Sequence, residues 1–157
     1  MEKVLTEWIE RISENKDELG GFAVCPFAKK YKSQYVPGAE IGYSPYGYIC
    51  DYMNKNGHKE HEITVFINKL KNLSNEECID LVNNLNKKFP NFVFLKDHPD
   101  DPGFINGIYT GNGAYPIILA QPKSKLLESR EILKKTKYYD YWSEEYKNEI
   151  WQYGREQ

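Results

Sequence analysis

The stretch from Glu62 to Lys96 constrains this chain more than any other. Glu62-Ile63-Thr64-Val65-Phe66-Ile67-Asn68 is short and rich in β-branched residues, which predicts a strand. Ser74-Asn75-Glu76-Glu77 has the pattern of a capping box, and the apolar positions 78, 79, 81, 82 and 85 behind it keep helical spacing as far as Phe89-Pro90. Asn91-Phe92-Val93-Phe94-Leu95-Lys96 then predicts a second strand. If both strands share a sheet, the connection is right-handed and the strands are parallel. The chain is thereby expected to build a sheet with at least one helix layered on it.

The flanking segments extend the pattern. Apolar residues at 4, 5, 8, 9 and 12 predict an amphipathic helix ending before Gly20-Gly21. Pro26 suits the first position of a helix, with Cys25 at its N-cap. A tyrosine-rich stretch from Tyr31 to Tyr52 carries turn signals at Pro37-Gly38 and Ser44-Pro45, with a candidate strand from Tyr46 to Tyr52. Ile117 to Ala120 predicts a buried strand, a helix follows from Lys123 to about Lys137, and Ser143 is a good N-cap for another reaching Tyr153. With no internal repeat and no linker, residues 1–157 are expected to form a single domain with a helical C-terminal extension from about residue 138. The expected class is α+β, a two-layer sandwich with a ferredoxin-like or related sheet and helices on one face. A thioredoxin-like fold is the alternative. Cys25-Pro26-Phe27 at a helix start and Tyr115-Pro116 before a strand favour it.

Charge and composition remove several functions. Lys and Arg number 21 against 23 Asp and Glu, a formal charge of -2, so no global field attracts nucleic acid or an anionic membrane. Apolar runs such as Ile117-Ile118-Leu119-Ala120 fall far short of the roughly 20 residues that span a bilayer. The N-terminus has no signal-peptide pattern, so a cytoplasmic location is expected. Cys25, Cys50 and Cys78 form no C-x-x-C pair, which argues against a disulfide framework or a zinc ribbon. His58 and His61 lie in an expected turn, and no metal set or cofactor is assigned.

Chemistry concentrates in the 20 residues from Asp97 to Pro116, a span with little apolar periodicity. Loops this long inside compact domains are usually functional. Asp97, His98, Asp100, Asp101, Tyr109, Thr110, Asn112 and Tyr115 offer carboxylates, an imidazole and hydrogen-bonding groups for a polar ligand. Cys25 is a second candidate, because a thiol at a helix N-terminus near Lys29 and Lys30 is biased toward thiolate. Tyrosine is abundant, with 13 in the chain. The C-terminal group of aromatic residues predicts a core-facing stripe or a surface for self-association.

The ordered motifs Val24-Cys25-Pro26-Phe27-Ala28-Lys29, Glu62-Ile63-Thr64-Val65, Asp97-His98-Pro99, Asp100-Asp101 and Ala114-Tyr115-Pro116 give a family resemblance over most of residues 1–135. The chain resembles an uncharacterised bacterial family of small domains of unknown function. In that family an Arg-Ser-Pro stretch precedes Tyr-Pro, and here Tyr109-Thr110-Gly111-Asn112-Gly113 stands in its place. The resemblance implies that the cysteine loop and the His-Pro to Tyr-Pro loop belong to one site, with Cys25 near His98.

Two functions fit these residues. One is a small thiol-dependent enzyme acting on a small polar substrate, with Cys25 as nucleophile or redox centre, His98 as acid/base and Asp101 orienting it. Asp97, Asp100, Tyr109, Thr110, Asn112 and Tyr115 would then hold the substrate. The other is a non-catalytic ligand-binding or assembly module with a structural cysteine.

Overall fold

The computed structural model describes residues 3–28, 33–36, 44–56, 63–101 and 103–151. In chain order the elements are α1 (Lys3–Ser13), β1 (Asn15–Lys16), β2 (Phe22–Ala23), β3 (Ser33–Val36), α2 (Pro45–Asn56), β4 (Ile63–Ile67) and α3 (Asn75–Lys88). They continue with β5 (Phe92–Asp97), β6 (Phe104–Ile105), β7 (Ile108–Tyr109), β8 (Ile117–Pro122), α4 (Lys123–Lys134) and α5 (Glu144–Trp151). Single 3-10 turns occur at Asp17–Leu19 and Tyr138–Tyr141.

A four-stranded sheet in the order β3-β4-β8-β5 forms the centre. β3 pairs parallel with β4, whereas β8 pairs antiparallel with both β4 and β5. β4 and β5 are therefore parallel to each other, as the strand-helix-strand pattern requires, but β8 is inserted between them. The helix joining them starts at the expected capping box, in which Ser74 Oγ accepts from the Glu77 N–H and the Glu77 side chain accepts from the Ser74 N–H. Its buried residues Cys78, Leu81, Val82 and Leu85 make one stripe.

Strand alternation sends that stripe and the N-terminal helix to opposite faces. Phe66, Phe94, Ile118 and Ala120 pack with α2 and α3, while Val65, Ile67 and Ile117 pack with Leu5 and Trp8 of α1. The α+β class holds, with helices layered on a sheet. α1 adds a helix on the face that α2 and α3 leave open. Across that face the register aligns Val65, Leu119 and Leu95 in one row and Ile67, Ile117 and Asp97 in the next. The second row places the first acidic residue of the long loop at the edge of an apolar surface.

Two local expectations are corrected. Tyr46 to Tyr52 is helical, within α2, rather than a strand. Pro45 opens the helix, where its missing N–H costs nothing, and Ile49 and Met53 fall on the buried stripe. Cys25 does not cap a helix among the described residues. The Ala28 N–H donates to the Cys25 carbonyl at 3.1 Å in a single turn, and the Cys25 N–H is bound to the Ile12 carbonyl at 2.8 Å. The helix start on which the thioredoxin-like alternative drew is therefore absent at Cys25. Lys29, Lys30, Tyr31, Pro37-Gly38 and His58 to His61 lie outside the described residues.

Ser143 caps α5 as expected, its Oγ accepting from the Tyr146 N–H at 3.1 Å. The described part of the C-terminal segment, as far as residue 151, is bonded to the rest of the chain. Tyr138 Oη donates to the Val24 carbonyl, and Asn106 Nδ2 donates to the carbonyls of Glu18 at 3.1 Å and Tyr141 at 2.7 Å. The segment is thus tied to both the cysteine turn and the β6-β7 hairpin.

Candidate functional site

The α1 face of the sheet carries the site because helices cover it incompletely. Ile63, Val65, Leu95, Leu119 and Gln121 form the floor of a cavity of about 390 Å³, within the usual span of small-ligand pockets. Trp8, Ile9 and Ile12 of α1 make one wall, and the turn from Val24 to Ala28 another. Leu126, Ser129, Arg130 and Leu133 of α4 make a third, since positions 126, 129, 130 and 133 share one helical stripe. Tyr138, Tyr139, Trp142 and Tyr146 close it from the C-terminal side.

The long loop contributes through its two ends. Asp97, Asp101, Gly103, Phe104 and Thr110 line the cavity together with Cys25. Asp101 pairs with Lys96 Nζ. The carboxylate of Asp97 accepts from the Asn112 backbone N–H at 2.8 Å and from Asn112 Nδ2. Burial pushes the Asp97 carboxyl above the ordinary aspartate range, and the bonds from Asn112 oppose that rise. The Thr110 hydroxyl donates to the Gly103 carbonyl at 3.0 Å, closing the loop onto itself.

Five of the sequence candidates stand outside the cavity wall. His98 is 5% exposed and both ring nitrogens face backbone. Its Nδ1 accepts from the Asp100 N–H at 3.0 Å, so Nε2 carries the proton and donates to the Leu73 carbonyl at 2.8 Å. The imidazole thereby pins the end of β5 to the segment before α3, on the side away from Cys25. Asp100 points to solvent, its side chain 85% exposed. Asn112 is an Asx hub: Nδ2 also donates to the Tyr115 carbonyl at 2.9 Å, and Oδ1 accepts from the N–H groups of Ala114 and Tyr115 at 2.9 and 2.8 Å. The Tyr109 ring lies 5.7 Å from the Arg11 guanidinium, and the Tyr115 ring lies 5.1 Å from Lys71 Nζ. Tyr115 is half-buried against the Leu5, Trp8 and Ile117 cluster, and the Tyr109 hydroxyl stands over Gly111.

α1 fixes the loop's position. Trp8 Nε1 donates to the Thr110 carbonyl at 2.8 Å, and Arg11 donates to the Gly111 carbonyl. Gly111 has no space for a side chain, because a Cβ there would stand 2.7 Å from the Tyr109 hydroxyl and 3.1 Å from Asp97 Oδ1. Burial raises the Cys25 thiol above its ordinary range, against smaller opposing contributions from the N–H groups of Phe27 and Ala28. Cys25 is half-buried, and a thiol held protonated in this way is a poor nucleophile.

Sequence reasoning misses Arg130 and Ser129, and it places Trp142 in the C-terminal aromatic stripe without joining it to the loop site. Arg130 is 6% exposed. Its signal was available, because Arg130 falls between Leu126 and Leu133 on the apolar stripe of α4. Among the described residues, no group of three or more His, Cys, Asp or Glu could hold a metal ion, and no helix is long and apolar enough to cross a membrane. No protein-family model, curated protein or solved structure matches this chain.

Proposed function

We propose that the protein binds a small, largely apolar ligand in the cavity between the Cys25 turn and the ends of the 97–116 loop, without thiol catalysis. The observation that supports this most is the cavity itself: about 390 Å³, floored by the sheet, walled by aromatic rings and containing the buried Arg130. Deep, mostly apolar pockets with a few convergent polar groups are the usual form of small-molecule sites. Cys25 serves as wall, and His98 as a structural pin. The pairing of the two loops in one site, which the family resemblance implied, is retained through Cys25, Asp97, Asp101 and Thr110 rather than through His98.

The test is a cavity-filling substitution. Leu126 is half-buried in the wall, and Leu126→Trp projects a larger ring into the space. A panel of small aromatic compounds is expected to raise the melting temperature of the wild type, by mass action on the folded state, and to leave Leu126→Trp unshifted. Equal shifts in both proteins would place binding elsewhere.

A further inference from the structure

We infer that the occupant of the cavity is a flat, neutral heterocycle with a lactam edge, a ring N–H beside a ring C=O, recognised by the side-chain amide of Gln121. This rests on the cavity being a binding site and adds the class of ligand. The sheet register places the residue. Gln121 stands opposite Val93 of β5, and Leu119, two positions earlier on β8, stands between Val65 and Leu95. Side chains two apart on a strand share a face, so Gln121 joins the cavity floor about 7 Å along the strand from the apolar row of Val65, Leu119 and Leu95. The floor thus offers one amide and, beside it, aliphatic surface.

Gln121 differs from the other polar groups of the cavity in having capacity to spare. Lys96 pairs with Asp101, Asp97 accepts from Asn112, the Thr110 hydroxyl donates to Gly103, and Ser129 and Arg130 have interactions of their own. The Gln121 amide makes no hydrogen bond among the described residues, and it is half-buried rather than enclosed. A ligand that covered this amide without bonding it would strand both a donor and an acceptor. In either orientation the amide presents those two groups side by side. A carboxylate would set its oxygens against the amide oxygen, and an ammonium would set its protons against the amide N–H groups. A lactam edge answers both with two parallel bonds, as glutamine does at the edge of adenine. A neutral ring also leaves the bonds of Lys96, Asp97 and Asp101 undisturbed. Its body lies over the aliphatic row, in a cavity that Tyr139 and Trp142 line with aromatic surface.

The experiment titrates the full chain with three bicyclic probes: 2-quinolone, 1-methyl-2-quinolone, whose lactam N–H is blocked, and 2-naphthoate. All three are expected to bind, and 2-quinolone about tenfold more tightly than either of the others, the scale of one hydrogen bond made rather than lost. Gln121→Met keeps the length of the side chain and removes its amide. It is expected to bring 2-quinolone within about twofold of its methylated form. A methylated quinolone or naphthoate that matches 2-quinolone on the wild type overturns the inference, yet leaves cavity binding standing. A preference for 2-quinolone that survives Gln121→Met overturns the assignment to Gln121. If none of the three binds, the binding site itself is refuted. The wild-type comparison decides the ligand class should Gln121→Met fail to fold.

Discussion

Asn112→Asp replaces an amide by a carboxylate of the same shape at the point where Asn112 Nδ2 touches Asp97. It also removes the bond from Nδ2 to the Tyr115 carbonyl. Two carboxylates about 4 Å apart at an effective dielectric near 20 repel by about 4 kcal/mol. The pair can escape that repulsion by sharing a proton. Holding one at pH 7 against an ordinary aspartate value near 3.9 costs about 4 kcal/mol as well, so the expected deficit at neutral pH is about 3 to 4 kcal/mol. For a chain of this size that corresponds to roughly 10 °C in melting temperature. The sign follows from linkage. The shared proton raises a folded-state pKa above its unfolded value, so its stabilisation is present below about pH 4 and is lost as pH rises through the folded value. Thermal unfolding of variant and wild type from pH 4 to 7.5, subtracted at each pH to cancel the raised Asp97 of the native protein, is expected to show a deficit that grows with pH. A deficit that is constant across the range, or below about 1 kcal/mol at pH 7.5, would refute the placement of Asn112 against Asp97.

Three further outcomes follow from the same contacts. Iodoacetamide should label Cys25 in the folded protein several-fold more slowly than in urea at pH 8, since its surroundings raise the thiol pKa and leave it only half-exposed; labelling as fast as in the unfolded chain would restore the nucleophile. Burial also pushes Cys78 up from 9.0 to about 11, so its share of stability is intact below pH 9 and is lost between there and pH 11. Cys78→Ala, though less stable overall, should show a flatter decline across that window, as read by chemical denaturation. His98→Ala should cost about 2 to 4 kcal/mol by orphaning the Leu73 carbonyl and the Asp100 N–H, yet leave affinity for any cavity ligand within about twofold. A large loss of affinity in the folded variant would return His98 to the site.

The elements that were legible in the sequence are those fixed by local chemistry. The capping box at Ser74, the β-branched run from Ile63 to Ile67 and the cap at Ser143 each satisfy their backbone within a few residues, and each appears where expected. Tyr46 to Tyr52 was misread because aromatic residues favour strands in general, whereas Pro45 and the spacing of Ile49 and Met53 favour this helix. The site was half legible for a different reason. Asp97, His98, Asp101 and Asn112 stand out in the sequence as polar residues of a long loop, but whether a polar side chain faces a ligand or its own backbone is a matter of loop closure. Asn112 spends its amide on Ala114, Tyr115 and Asp97, and His98 spends its ring on Leu73 and Asp100. The wall formed by Arg130 and Trp142 needs the C-terminal segment to fold back on the cysteine turn. That contact spans more than a hundred residues, through Tyr138 and Val24.

The most direct test of the cavity as the binding site is the indole N–H signal of Trp142 in a proton-nitrogen correlation spectrum, followed as a small aromatic compound such as 2-naphthoate is added. The Trp142 ring lines the cavity beside Tyr138, Tyr139 and Tyr146, so its signal should shift as an aromatic ring settles against it. The same titration of Leu126→Trp should leave that signal in place. A Trp142 signal that stays fixed while naphthoate binds, or that moves equally in the filled variant, would contradict the assignment.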